Sequence, residues 1–377
     1  MGEWREVKIS DIAILVKNSW KVGDEKLPYL GLEHIEEAKL RLNGVGSSDD
    51  VASNKYRFNV GDVLFGKLRP YFRKVVKPDF DGICSTDIWV INATEESDIN
   101  FIFYFFANQE LVDLSYSTSS GTRMPRADWK FLSQTLWNIP PLKEQKAIAE
   151  VLSSLDEKID LLHRQNKTLE ELAQTLFRQW FIEEAKDEWE EKPLSEIANF
   201  LNGLACQKIP PKNNVDKLPV LKIKDLKGGI SDSSDWATTD VKPEYIIESG
   251  DVIFAWSASL IVKIWDGEKC ILNQHLFKVT SEDYPKWFYY QWCKYHLDRF
   301  IAIAQAHATT MGHIKRKDLD NAMCFVPTDD EMKVMDEQMV PLMQKMENNS
   351  KQIKTLENMR DTLLPKLMSG EVRLKYE

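Results

Sequence analysis

The sequence predicts an α+β protein made by internal duplication: two similar domains separated by two long antiparallel helices forming a coiled coil, with pseudo-two-fold symmetry and a circular layout. Three observations support this. A heptad seam runs from Pro140 to Phe181, the seam recurs 187 residues later, and matching strand and turn signals precede each copy. The resulting segments are 1–139 for the first domain, 140–182 for the first long helix, 183–326 for the second domain, and 327–377 for the second long helix and tail.

In chain order, Trp4-Arg5-Glu6-Val7-Lys8-Ile9-Ser10-Asp11-Ile12-Ala13 is echoed by Trp189 to Ala198, with Trp, Glu, Ser, Ile and Ala at equal spacing. Pro28-Tyr29-Leu30 resembles Pro219-Val220-Leu221, and Gly61-Asp62-Val63-Leu64-Phe65 resembles Gly250-Asp251-Val252-Ile253-Phe254. The offset drifts from 185 to 191 and settles at 187 in the helices, so insertions and deletions fall in loops. Gly-Asp before an apolar triplet is a turn feeding a buried strand, which makes Asp62 a turn former rather than a catalytic carboxylate. Cys84 to Asn92 forms a β-rich run. Phe101–Phe106 and Trp287–Trp292 are expected as buried helices behind the sheet, aromatic for packing rather than for stacking bases.

Two polar loops come next. The first is Ser117-Thr118-Ser119-Ser120-Gly121-Thr122-Arg123-Met124-Pro125-Arg126, and the second runs from His307 through Thr309, Thr310, Gly312, His313 and Lys315 to Arg316 and Lys317. Each combines hydroxyls, glycine and basic side chains, a set that donates to phosphates from backbone, side chain and charge together. An Asp (Asp128, Asp318), a short apolar piece and a proline (Pro140, Pro327) then lead into each long helix, the second with a capping box at Thr328 and Glu331.

The first helix keeps Ile148, Leu152, Leu155, Ile159, Leu162, Leu169, Ala173, Leu176 and Trp180 on one seam, interrupted by Asn166. The second keeps Met335, Met339, Leu342, Met346, Ile353, Leu356, Leu363 and Leu367, interrupted by Asn349. Antiparallel pairing of the two asparagines makes paired positions sum to 515, which opposes apolar residues everywhere but at Leu155 and Arg360. The Arg360 stem packs there, with its head in reach of Asp156 or Asp160. A polar pair within a seam fixes register at a cost in stability, so Asn166 and Asn349 are expected within about 12 Å of each other. Pro341 and Pro365 should kink or end the second helix.

Composition narrows the alternatives. The chain has 377 residues and a net charge of −10, yet its acid gathers at helix exits such as Glu183, Glu184, Asp187 and Glu188, leaving room for positive patches elsewhere. Five scattered cysteines without a C-x-x-C pair are reduced packing residues in a cytoplasmic chain, with neither a disulfide framework nor a zinc site expected. No apolar run approaches the length of a membrane span, and no secretory signal opens the sequence. Basic residues cluster at Lys67, Arg69, Arg73 and Lys74 with Tyr71, and at Lys222, Lys224 and Lys227.

Several stretches together resemble a known family, the specificity subunits of type I restriction-modification systems. They are the Gly-Asp-Val turns, the Thr-Thr-Met-Gly-His-Ile loop, Ile139-Pro140-Pro141-Leu142-x-Glu144-Gln145, Thr175-Leu176-Phe177-Arg178-x-Trp180-Phe181, and Leu363-Leu364-Pro365-Lys366-Leu367-Met368-Ser369-Gly370-Glu371. The second copy departs from the pattern before its helix, where Phe325-Val326-Pro327-Thr328 lacks the Pro-Pro-Leu and Glu-Gln pieces and keeps Glu331. The resemblance spans the whole chain. It implies a non-catalytic subunit with two target-recognition domains, each reading one half of a gapped site in double-stranded DNA. It also implies two modification subunits, each methylating an adenine in one half-site, with restriction subunits joining that core. No cofactor, metal or membrane is expected.

Under that reading the candidate contacts of the first domain are Lys67, Arg69, Tyr71, Arg73, Ser120, Gly121, Thr122, Arg123 and Arg126. Those of the second are Lys222, Lys224, Trp256, Ser257, His307, Thr309, Thr310, His313, Lys315 and Arg316. Arg or Lys suits guanine, Asn or Gln suits adenine, and apolar groups suit the thymine methyl. A basic Gly66-Lys67-Leu68-Arg69-Pro70-Tyr71-Phe72-Arg73 stands against a neutral Ala255-Trp256-Ser257-Ala258-Ser259-Leu260, so different half-sites are expected, with more phosphate or guanine contacts from the first domain. A spacer of about 38 residues at ~1.5 Å each spans roughly 57 Å, a ruler for the gap. The C-terminal stretch should return to where the first domain begins.

Enzymatic alternatives find little footing. Asn138-Ile139-Pro140-Pro141 is a displaced look-alike of an adenine-methyltransferase motif, no Gly-x-Gly fingerprint follows a strand, and Glu37-Ala38-Lys39 is an isolated nuclease-like triplet. His163 is expected on the helix surface, and His307 and His313 as loop donors. The readings that compete with a DNA-reading scaffold are a stand-alone methyltransferase or nuclease, and a duplicated protein-protein adaptor.

Overall fold

A computed structural model describes residues 3–119, 123–231, 233–306 and 312–374. The chain forms two compact units, Met1–Asp160 with Thr355–Glu377, and Leu161–Lys354. Both boundaries fall inside the long helices, which run continuously over Leu142–Arg178 and Asp329–Ser369.

In the first unit an antiparallel sheet has the strand order Ala13–Val16, Ile88–Ala93, Val63–Gly66, Val75–Val76. Alternation sends successive side chains to opposite faces. Val63, Phe65 and Ile91 pack with the helix Ile99–Ala107, while Leu64, Val76 and Val90 pack with Leu30 and Phe58 of a second, mixed sheet. That sheet pairs Pro28–Leu30 in parallel with Gly82–Cys84. A separate two-stranded ribbon joins Arg5–Lys8 to Leu136–Ile139.

The second unit repeats the plan. Its antiparallel sheet runs Asn199–Asn202, Leu276–Thr280, Val252–Ala255, Ile261–Ile264, and its mixed sheet pairs Lys217–Leu221 in parallel with Cys270–Leu272. Glu190–Pro193 joins Met323–Val326 as the ribbon. The copies differ where the offset drifts: the first has an extra edge strand, Asn18–Trp20, and the second a helix, Ile223–Gly228, after its first parallel strand.

Local chemistry explains the elements. Gly61 and Gly250 take the left-handed turn (φ +86° and +99°), and Asp62 and Asp251 close it by accepting from the backbone N–H of Asn59 (2.8 Å) and Glu248 (2.9 Å). Asp98 caps the first aromatic helix, accepting from Asn100 and Phe101 N–H. Phe101–Phe106 and Trp287–Trp292 are buried throughout, and all five cysteines are free and buried. The capping box at the second long helix forms, with Thr328 N–H donating to Glu331 Oε2 at 3.0 Å.

The run Cys84 to Asn92 is β-rich as expected, with Ser85 accepting from Asp87 N–H where the chain turns between Gly82–Cys84 and Ile88–Ala93. Three expectations need correction. Pro341 and Pro365 do not end the second helix; both are exposed, and on the solvent side the carbonyl that loses its partner can be hydrated. His163 is half-buried rather than on the surface. Toward the second domain, Phe177, Phe181 and Met343 are buried while Leu176, Trp180 and Leu342 are only partly so. A straight helix drifts about 20° per heptad against a 3.5-residue repeat, and there the large aromatic side chains take the core-facing side.

The helical segments run antiparallel within each unit. In the first, Asp156 meets Arg360 and Glu144 meets Arg373; in the second, Asn166 meets Asn349 and Lys186 meets Glu331. Asn349 Nδ2 donates to Asn166 Oδ1 at 2.9 Å, and Asn166 Nδ2 donates to the Met346 carbonyl at 3.3 Å. The Arg373 guanidinium also lies 5.2 Å from the Trp4 ring centroid, so the segments carrying residues 4 and 373 are neighbours.

Candidate nucleic-acid interface

In each unit three backbone segments meet in the same hydrogen-bond pattern. In the first, Lys67 N–H donates to the Asp87 carbonyl (2.9 Å), Ala127 N–H to the Lys67 carbonyl (2.9 Å), and Arg69 N–H to the Pro125 carbonyl (2.7 Å). In the second, Trp256 N–H donates to His275 (3.3 Å), Ile314 N–H to Trp256 (3.1 Å), and Ala258 N–H to Gly312 (2.9 Å). Leu68 is bridged to Arg126, and Ser257 to His313. Arg69 and Ala258 hold the same left-handed backbone, φ +51° and +58°. Such a conformation costs an L-residue roughly 1–2 kcal/mol, and the junction's hydrogen bonds hold it.

This junction brings together side chains from distant parts of the sequence. In the first unit it gathers Lys67, Arg69 and Arg126, with Arg123 exposed nearby in sequence. Tyr71 is exposed and sits edge-on to Tyr116, ring centroids 5.2 Å apart. In the second unit it gathers Trp256, Ser257 and His313. The Trp256 indole N–H donates to Asn202 Oδ1 at 3.0 Å, its ring stacks on Phe277, and the buried Ser257 hydroxyl lies 3.2 Å from His275 Nδ1. Lys315 and Arg316 are exposed at the start of a short helix whose first turn Asp318 closes by accepting from Lys315 N–H (2.7 Å). Ser120, Gly121, Thr122, His307, Thr309 and Thr310 lie outside the described residues.

One candidate is placed otherwise than expected, and two others hold local partners. Arg73 points inward, donating to the Ala38 carbonyl (2.8 Å) and Asp361 (3.3 Å), and burial lowers its guanidinium from the ordinary value. It braces the basic segment rather than facing a ligand. Lys222 is ion-paired with Asp235, and Lys224 donates to the Ser233 carbonyl at 2.8 Å. Lys222 nevertheless directly follows Leu221, whose carbonyl accepts from Asn273 N–H at the turn that carries His275.

Counting cations and hydroxyls misses Asp87, which grips Arg126, and His275, Asn202 and Tyr116. The duplication held a usable signal, because an offset of 188 places Asp87 opposite His275, each between two strands. Among the described residues no three His, Cys, Asp or Glu side chains gather as a metal site, and no helix is long and apolar enough to cross a membrane.

The duplicated α+β chain thus presents two junctions built on the same three backbone hydrogen bonds but lined by different side chains. The model of the type I restriction modification DNA specificity domain matches it twice, over residues 1–171 and 186–358, and the chain belongs to that family. It is 28% identical over 303 residues to the type I restriction enzyme MjaIX specificity subunit of Methanocaldococcus jannaschii, covering 73% of this chain and 69% of that one. To the HindI specificity subunit of Haemophilus influenzae it is 19% identical over 464 residues, covering 99% and 100%. A solved S subunit of a type I restriction-modification system from M. genitalium shares the fold, with a TM-score of 0.54 at 16% identity over 97% of this chain and 96% of that one.

Proposed function

We propose that this chain is the DNA-reading subunit of a type I restriction-modification complex, non-catalytic itself, whose two domains each read one half of a bipartite gapped site in double-stranded DNA. The long helices separate the half-sites as a coiled-coil spacer with its register set by Asn166 and Asn349. Two adenine-methylating modification subunits and the restriction subunits are its partners, and the cytoplasm is its place. One observation carries the reading: the three junction hydrogen bonds are the same in both units, while the side chains they present are not. A shared scaffold with Lys67, Arg69 and Arg126 in one copy and Trp256, Ser257 and His313 in the other suits an asymmetric pair of half-sites.

The test is binding of the chain, with its modification subunits, to duplexes carrying two half-sites at varied separation. Gap-dependent binding that weakens steeply with salt is expected. Binding indifferent to separation, or methyl-donor binding by the purified chain alone, contradicts the proposal.

A further inference from the structure

Resting on the DNA-reading assignment above, we propose that Arg126 reads a guanine in the half-site of the first domain and that Asp87 is its positioning residue. Asp87 takes the guanidinium side-on, Oδ1 accepting from Nε at 2.9 Å and Oδ2 from Nη2 at 3.3 Å. A guanidinium carries five N–H donors in a rigid fork. This grip occupies one edge of the fork and leaves the Nη1 and remaining Nη2 donors along its end. Two parallel donors there match O6 and N7 on the major-groove edge of guanine.

The surroundings favour a base over a phosphate. Arg126 is 46% exposed and Asp87 27%, so the fork is more open to solvent than its holder. The backbone is fixed on both sides, Pro125 accepting from Arg69 and Ala127 donating to Lys67. A phosphate contact requires only a reachable cation, and the Asp87 carboxylate beside the fork repels a second anion. The second domain supplies a contrast. There His275 stands opposite Asp87 and His313 opposite Arg126, flanking Trp256 with centroids at 6.0 and 6.3 Å. No arginine occupies that place, so the contact belongs to one half-site.

Selection from a randomised duplex library, with the chain assembled with its modification subunits, tests this. The wild type should select guanine at one position of one half-site by about 5- to 150-fold over other bases, the range of a bidentate pair. Arg126→Gln should abolish that preference, and Arg126→Lys should weaken it, because lysine keeps the charge but not the fork. Asp87→Ala should relax the same position with the salt dependence unchanged, and the other half-site should stay intact in all three variants, which also reports correct folding. Uniform weakening at every position, with the salt slope reduced by about one, would make Arg126 a phosphate contact and overturn the proposal. A gapped motif in which no guanine responds overturns the arginine assignment alone, whereas no gapped motif from the wild type removes the underlying reading as well.

Discussion

Glu144 is wholly buried, and its carboxylate is taken by Arg373, with Nη2 donating to Oε2 at 2.7 Å. The duplication offset of 187 carries this pair onto Glu331 and Lys186, which are also ion-paired. Each long helix therefore starts with a glutamate held by a cation that follows the end of the other. The neighbouring motif residue Gln145 donates to the Pro140 carbonyl (3.0 Å) and accepts from Asp98 N–H (2.9 Å), so it ties the helix start to the aromatic helix. In the second copy Glu331 does more alone, accepting from Thr328 and from the Trp189 indole N–H. His296 is buried against Trp292 with Nε2 on the Met323 carbonyl, and burial pushes its pKa down to about 4. Between the ordinary value near 6.5 and about 4, the unfolded chain binds a proton that the native chain does not. Stability contributed by His296 is therefore present above that window and falls by about 1.4 kcal/mol per pH unit through it. Urea titrations from pH 7 to 4 should show this slope, and His296→Phe should flatten it.

At the scale of elements, two polar contacts interrupt the apolar helix seam. Arg360 is 1% exposed and donates to Asp156 Oδ1 at 2.8 Å, while Tyr104 donates to Asp156 Oδ2 at 2.7 Å. Breaking such a pair leaves a buried charge, so Arg360→Ala should destabilise the first unit by about 3–5 kcal/mol, and the double change Arg360→Leu with Asp156→Leu by much less. Asn349→Ala strands the Asn166 carbonyl oxygen and should cost about 1–3 kcal/mol in denaturant unfolding. The sequence made these elements legible because heptad spacing and a fixed offset survive duplication. The Arg360 contact was foreseeable as the seam's one mismatch. The junction of the three backbone segments was only half legible. Its strands and loops were marked by turns, glycine and basic residues, but Arg73 turned inward toward Asp361 and Asp87 came to face Arg126. Such pairings depend on which loop tip folds over which strand end, and local composition carries no record of that. The buried Phe177 and Met343 were missed for a related reason, since a straight helix drifts out of phase with a 3.5-residue repeat and the domain core covers the side that drifts inward.

For the whole molecule, two compact units share helices of 37 and 41 residues. If those helices set the spacing of the half-sites, inserting one four-residue step in each adds about 6 Å, or roughly two base pairs. The preferred gap should lengthen by that amount with both half-sites unchanged, and a gap unaffected by the insertion contradicts the spacer role. Exchange of the junction side chains, by contrast, should change a half-site and leave the gap alone. The most direct measurement of the central claim is adenine-methylation sequencing of a host carrying the chain with its modification subunits. A two-part motif separated by a fixed unread gap, with an adenine modified in each half, is the predicted result. An uninterrupted motif, or methylation that is the same without the chain, would contradict it.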